Sequence, residues 1–443
     1  MFRLNVLPSA AAVSENAPVA RLLNPDGSLN LHTGFYGSLD LRRWNVKLDS
    51  KRGPILTLSN SGKSNSPASF PNLPESLGWL QLLHSPMIGS VNAIAILGSD
   101  LYIAGNFTFT PDGGATDLHN IAKYSGGVWS ALGNNGTDNA VNALAVMGSD
   151  LYVGGSFSGT ADGAITNMID IARYDTIGKT WSVLANSGIG GTVWSLAVIG
   201  SDLYVGGDFI STAAAPFVPN LNFIAIYSGG TWVALPNHGL NGSVRTFAVK
   251  GSDLYVGGSF DFTNDMSVLN LRNIARYSGG VWSALADQGL NGVVIALAVN
   301  GSDLYAGGAF TQTYNGSVSN LNHIARYNIS GGTWTALAHQ GLQGNVVSLA
   351  VNGNDVYAGG YFATTFDNAV TNLNSIARYD TIGGVWSALP NQGLSNPVLA
   401  LASDGSAVYV GGGFGGTFDG QYTGQIVKLG SLGFYVYLPS ILR

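Results

Sequence analysis

The stretch GSDLYVGGSF stands at residues 148–157 and again, letter for letter, at 251–260. Near copies recur five more times, and the tyrosine of this segment falls at 102, 152, 204, 255, 305, 357 and 409, always 50 to 52 residues apart. A second series keeps the same interval: Trp79, Trp129, Trp181, Trp232, Trp282, Trp334 and Trp386. A third is IAKY at 121–124, IARY at 171–174, 274–277, 324–327 and 376–379, IAIY at 224–227 and IVKL at 426–429. Self-similarity at one fixed period is the signature of a repeat architecture.

Each copy contains four short apolar runs. In the second they read VNALAV (141–146), DLYVGG (150–155), DIARY (170–174) and TWSVL (180–184). They are too short for ordinary helices, rich in β-branched and aromatic residues, and bounded by Gly, Asn, Asp or Ser, which is the grammar of strands. We call them a, b, c and d. GSD joins a to b as a tight hairpin, and SGG or a DTIGG-type turn joins c to d. Four antiparallel strands repeated about every 50 residues describe a β-propeller with one sheet per blade. A lone sheet has two faces to cover, and its neighbours cover them. Strand b must therefore present the same surface to the same kind of neighbour in every blade, and its sequence recurs. Its glycine pair serves close blade-to-blade approach or a bulge.

The expected fold is all-β, a seven-bladed propeller over residues 79–438. Its blades are expected at 91–134, 141–185, 192–236, 242–286, 293–338, 345–390 and 396–438. On this count Phe434, in FYVYLP, supplies strand d of the last blade. Trp79 then sits on a spare d-like strand that caps or closes the ring. Residues 439–443 form a tail. Residues 1–78 lie outside the repeat: SLNLHT, SLDLRRWNVKLD and GPILTLS alternate like strands, and SGKSNSPASFPNLPES reads as a linker. The opening MFRLNVLPSAAAVSENAPVA reads as a shortened export signal or a loose terminus.

Composition agrees with this architecture and narrows function. Glycine contributes 62 of 443 residues, and charged residues only 10%, against a usual share of about 25%. Net charge is −6 with no basic run, so a nucleic-acid groove is not expected. There is no cysteine, which removes disulfides, thiolate metal sites and a Cys nucleophile. No apolar run is long enough for a membrane-spanning helix.

The hairpin of strand a, the YxGG strand, the IARY strand and the trailing TW strand together resemble the kelch repeat. More broadly they resemble the galactose-oxidase-type central propeller, over about residues 79–438. That resemblance implies a propeller of six or seven blades used for binding protein or glycan, with only some members enzymes. The period and the insert between b and c follow their own pattern. The cysteine required by the galactose-oxidase cofactor is missing, so no cofactor is expected. The FYVYLPSILR ending resembles Tyr-Leu-Pro tails of secreted bacterial proteins.

Strand connectivity separates the two faces. The a–b and c–d turns are tight and share one end of each blade. The b–c and d–a connections are long and share the other, where function belongs. From the Phe closing strand b to the Ile of strand c there are 13, 13, 14, 13, 13, 13 and 11 residues. Six of these loops contain Thr-x-Asp or Thr-x-Asn: Thr110/Asp112, Thr160/Asp162, Thr263/Asp265, Thr313/Asn315, Thr365/Asp367 and Thr417/Asp419. One carboxylate per loop falls short of a calcium ligand set, and a Thr or Asx turn explains the motif better. The later d–a loops place Asn237/His238, Asp287/Gln288, His339/Gln340 and Asn391/Gln392 near the channel mouth, as a candidate ring of amides and imidazoles for a sugar or peptide. Their alternative is a solvated Gly-anchored turn.

Blade three departs from the repeat. Its b–c loop is STAAAPFVPN (211–220), which puts Phe217 and Val218 where other copies are polar. Its strand a opens on Trp194, where the others have Asn92, Asn142, Arg245, Ile295, Val347 and Leu399. Its strand c has Ile226 where five others have Arg or Lys before Tyr. These departures make an apolar patch for a partner, or for residues 1–78 of the same chain through Phe35, Tyr36 or Trp44. The arginines of IARY (Arg173, Arg276, Arg326, Arg378) read as scaffold salt bridges. Histidines are scattered, no HExxH or GxSxG stands in the chain, and no metal is expected. The expectation is a secreted or cell-surface, non-enzymatic binding module for an unknown protein or glycan. Its rivals are a carboxylate-dependent hydrolase or lyase on the loop face and a purely structural envelope protein.

Overall fold

The structure is a computed structural model that describes residues 77–82, 88–108 and 117–431, residues 23–24, and the backbone of four short strands nearer the N-terminus. Those four strands pair as Phe2–Leu4 with Gly37–Leu39 and as Trp44–Asp49 with Gly53–Leu58, both antiparallel. The WNVKLD and GPILTL readings are thus strands, while Phe35, Tyr36 and SLNLHT lie outside the described residues.

The second compact unit, Trp79–Gly430, is the propeller. Seven four-stranded antiparallel sheets follow one another, each in the order a-b-c-d. In blade two the strands are Val141–Met147, Asp150–Gly155, Ile171–Asp175 and Thr180–Val183. The a strands of successive blades pack against one another all the way round, blade seven against blade one included. Strand a is therefore innermost and strand d outermost.

The glycine pair of strand b does two separate jobs. The first glycine meets the next blade: a Cβ on Gly257 would fall 2.6 Å from Val294 Cγ1, and one on Gly411 would fall 2.6 Å from Val91 Cγ1. The second glycine stays within its own blade, where a Cβ on Gly258 would fall 2.1 Å from the Ser243 carbonyl oxygen. It lies at a β-bulge: Val244 pairs with Gly258 and Thr246 with Gly257, which leaves Arg245 as the extra residue. The same register shift occurs in strand a of all seven blades. A bulge bends the strand and re-aims its extra residue. Close approach and bulge are thus both present, one at each glycine.

The closure of the ring corrects the sequence reading. The outer strand of blade seven, beside Val398–Ser403, Val408–Gly412 and Ile426–Ser431, is Leu77–Gln81. Phe434 and the rest of 432–443 lie outside the described residues. One hydrogen bond gives the reason. In blades two to six the tryptophan of strand d donates from Nε1 to the first residue after the preceding blade's strand d and its leucine, as in Trp334 to Ala286 (3.1 Å) and Trp386 to Ala338 (3.1 Å). Trp79 makes the next bond in this series, to the Pro390 carbonyl at 2.9 Å. Phenylalanine has no N–H with which to make it. Trp79 is not spare: the chain's early strand joins its last blade and locks first blade to last.

Candidate functional site

Two rigid frames carry the long-loop face. One frame is the junction of a b–c loop with the d–a loop before it. In blade six, buried Thr365 donates from Oγ1 to Asp367 Oδ1 (2.9 Å) and accepts from the Val370 N–H (3.0 Å). Asp367 Oδ2 then contacts His339 Nδ1 of the d–a loop at 3.0 Å. Blades two, four and seven repeat this through Asn134–Asp162, Asn237–Asp265 and Asn391–Asp419, at 3.0, 3.2 and 2.9 Å. Blade five reverses the chemistry, with Asn315 of the b–c loop donating to Asp287 of the d–a loop at 3.3 Å. In blade three the Pro216 carbonyl takes the acceptor's place and receives Asn186 Nδ2 at 2.8 Å. In each of blades two to seven an acceptor on one loop meets a polar nitrogen on the other, so these residues are a belt that fastens blade to blade.

The belt accounts for the Thr-x-Asp motif and for most of the proposed amide ring. Asn237, Asp287, His339 and Asn391 are committed to it. The residues after them contribute backbone: the carbonyls of His238, Gln340 and Gln392 accept from Asn222, Asn322 and Asn374 at 2.7 to 2.8 Å. The side chains of His238, Gln288, Gln340 and Gln392 are exposed. Both residues of each pair hold positive φ, between 56° and 63°. The dipeptides are therefore tied to the b–c loops. Thr110 and Asp112 of blade one fall outside the described residues.

Four carboxylates of the belt, Asp162, Asp265, Asp367 and Asp419, are held ionised. Asp367 lies below its ordinary pKa chiefly because it accepts the Ala369 N–H, and Asp162 because it accepts that of Ala164. In Asp265 the Ser267 hydroxyl is the main cause, and in Asp419 the Thr417 hydroxyl. A general acid needs the opposite shift. Asp170 alone among these loop carboxyls is pushed up, to about 6, by burial, against the opposing hydrogen bond from the Gly191 N–H.

The second frame is the bulge of strand a. Its extra residues are Asn92, Asn142, Trp194, Arg245, Ile295, Val347 and Leu399, one per blade. Members of this series reach neighbouring blades: Asn142 Nδ2 lies 3.4 Å from the Val193 carbonyl, and the Arg245 guanidinium lies 4.5 Å from the centre of the Trp194 ring. Asp208 at the end of strand b completes the group. It accepts Trp194 Nε1 at 2.6 Å and lies 3.6 Å from Arg245. Trp194 and Arg245 are thus brought together, and the missing link in the sequence reading was Asp208. Val218 is part-buried against blades two and three, with its N–H on Thr212 Oγ1. Phe217 is 62% exposed, one residue along.

Among the described residues, the exposed aromatic side chains are Phe217, Tyr314, Tyr361, Phe366, Phe418 and Tyr422. All six stand in b–c loops of blades three, five, six and seven. The sequence reading singled out only Phe217. Tyr314, Phe366 and Phe418 were legible as the middle residues of Thr-x-Asp/Asn, a position that needed the turn's geometry to be recognised as outward.

The opposite face has a different chemistry. Asp at the start of strand b pairs with Arg or Lys in strand c: Asp150–Arg173, Asp253–Arg276, Asp303–Arg326 and Asp355–Arg378 at 2.7 to 3.0 Å, and Asp100–Lys123 at 2.5 Å. These are the scaffold salt bridges the sequence suggested. A cavity of about 250 Å³ lies between blades one and two, lined by Tyr102, Lys123, Tyr174, Thr176 and Lys179 among others. It falls below the size of typical ligand pockets, about 300–1,000 Å³.

No family model matches the chain, and no curated protein matches it. Among solved structures, the computationally designed Ika8 protein is similar at 13% identity and a TM-score of 0.48, covering 80% of this chain and 100% of its own. The seven-bladed architecture is thus established by the chain's own sheets, and the kelch-like resemblance has no family match beside it.

Proposed function

We propose that the protein is a non-enzymatic binding and scaffold module that engages a protein or glycan through the face bearing the b–c and d–a loops. One observation carries this reading: all six exposed aromatic side chains among the described residues stand in b–c loops of that face. Exposed aromatics on rigid supports are the usual anchors of recognition, and loops on a rigid scaffold are their usual place. The hydrolase alternative has one raised carboxyl on this face, Asp170, pushed up to about 6 by burial, while four other loop carboxylates are held ionised by protein donors. As part of the same proposal, the module works at the cell surface or outside the cell.

The test is site-specific photo-cross-linking in the producing cells. A photoreactive phenylalanine analogue replaces Phe217 or Tyr361 on the loop face, and Val281 or Ile382 near the outer edge. Adducts from the first pair and none from the second are expected. Equal labelling at all four positions, or none at any, would defeat the proposal.

A further inference from the structure

Three of the six exposed aromatics occupy one structural position in consecutive blades. Tyr314, Phe366 and Phe418 are the middle residues of the Thr-x-Asp/Asn turns of blades five, six and seven. The same position holds Ala161, Ala213 and Asn264 in blades two, three and four. Its backbone is fixed identically in each case. The Tyr314 N–H donates to Gly289 O at 3.0 Å, that of Phe366 to Gly341 O at 3.1 Å, and that of Phe418 to Gly393 O at 3.0 Å. The threonine before it is buried, and the Asp or Asn after it is bonded into the belt. The side chains themselves are 43%, 44% and 55% exposed. Nothing in the packing of the blade requires an aromatic there, since three other blades manage with Ala or Asn.

The surroundings of these rings decide what they fit. Each is flanked in sequence by polar residues: Gln312 and Asn315 around Tyr314, Asp367 and Asn368 after Phe366, Asp419 and Gln421 after Phe418, of which Asn315, Asp367 and Asp419 are engaged in the belt. At this turn position the aromatics come one per blade, with Tyr361 and Tyr422 elsewhere in the b–c loops of blades six and seven, and polar turn residues alternate with them, where a protein interface has a continuous apolar centre. Cations are scarce among the described residues: the guanidinium of Arg272 lies 4.2 Å from the Tyr314 ring centre and is paired with Asp261 at 2.8 Å. A polyanion has no footing on such a surface. Exposed aromatic rings repeated once per blade at one turn position, next to polar turn residues, suit a chain of rings that are apolar on their faces and hydroxylated on their rims.

We propose that Tyr314, Phe366 and Phe418 form a stacking platform for an uncharged polysaccharide, one sugar unit of the chain resting on each ring. This rests on the loop-face reading and specifies its ligand. Linked subsites multiply their affinities when one ligand spans them, so affinity should rise with chain length.

The experiment is affinity gel electrophoresis of the full chain with barley β-glucan, glucomannan and soluble starch, each at several concentrations, with dextran sulfate for comparison. Retardation by at least one neutral polymer is expected. Single alanine substitutions at 314, 366 or 418 should weaken it about three- to tenfold, and the triple variant should lose it by a hundredfold or more. The melting temperature should be unchanged, because the side chains are exposed. With oligosaccharides of the retarding polymer, hexamers should outbind dimers in the wild type, and Phe366→Ala should flatten that dependence. Retardation by dextran sulfate only, no retardation by any neutral polymer, or a triple variant that binds as well as wild type would overturn the proposal. Cross-linking at Phe217 or Tyr361 without polysaccharide binding would leave the loop-face reading standing and point to a protein partner instead.

Discussion

At one end of each blade the chain reverses in a few residues; at the other it travels up to 14 before returning. The short end repeats itself chemically, with Asp–Arg or Asp–Lys pairs in blade after blade. The long end repeats its frame and varies what the frame holds. Buried threonines, belt pairs and bulges recur, while the turn residue runs from Ala161 to Phe418 and the bulge residue from Asn92 through Trp194 to Leu399. Packing constrains positions that touch the next blade. It leaves free those that the frame aims outward, and there a repeat can differentiate.

The largest effect should come from the frame. Gly258→Ala drives a methyl toward a backbone carbonyl that the bulge holds in place, and should cost about 3 kcal/mol or more. Gly257→Ala meets only side-chain atoms of Val294 and Thr246, and blade one already carries Ala104 at the equivalent position. It should cost about 1–3 kcal/mol. Urea midpoints order the two; a smaller loss at Gly258 would remove the distinction between the glycines.

Thr365→Val keeps the shape of the buried side chain but removes its bonds to Asp367 and the Val370 N–H. A loss of about 1–2 kcal/mol is expected. Phe366→Ala, one residue on, should change stability by less than about 0.5 kcal/mol. If the two denature alike, the turn is not a frame carrying a free passenger.

A smaller, pH-dependent effect belongs to Asp170, whose carboxyl burial pushes up to about 6. The unfolded chain releases that proton near the ordinary value of about 3.9. The folded protein therefore binds more protons between these values, and stability falls as pH rises from about 4 through 6. Asn cannot ionise and still offers an oxygen to the Gly191 N–H. Asp170→Asn should melt a few degrees above wild type at pH 7.5 and level with it at pH 4. Equal curves at both values would mean that Asp170 is solvated like the belt aspartates.

The repeat itself was written plainly. The period of the tyrosines and tryptophans, the strand grammar and the turn glycines lead to seven four-stranded blades, because every blade meets the same neighbours and pays for any departure in packing. Faces followed from connection lengths alone. The outer strand of blade seven did not: Phe434 and Trp79 both fit the spacing, and only the pairing of distant chain segments, with the Nε1 bond of Trp79 to Pro390, selects between them. The candidate residues divided in the same way. Asn237, Asp287, His339 and Asn391 look like free polar side chains in one dimension, but their partners lie about 28 residues along the chain in the next blade's loop. Asp208, which binds Trp194 and Arg245, and the outward turn position of Tyr314, Phe366 and Phe418 became visible only when strands and loops from neighbouring blades were set side by side. A repeat fixes which contacts are shared by all blades; what each blade offers to solvent depends on where the shared frame leaves a side chain unpartnered, and that is a property of three dimensions.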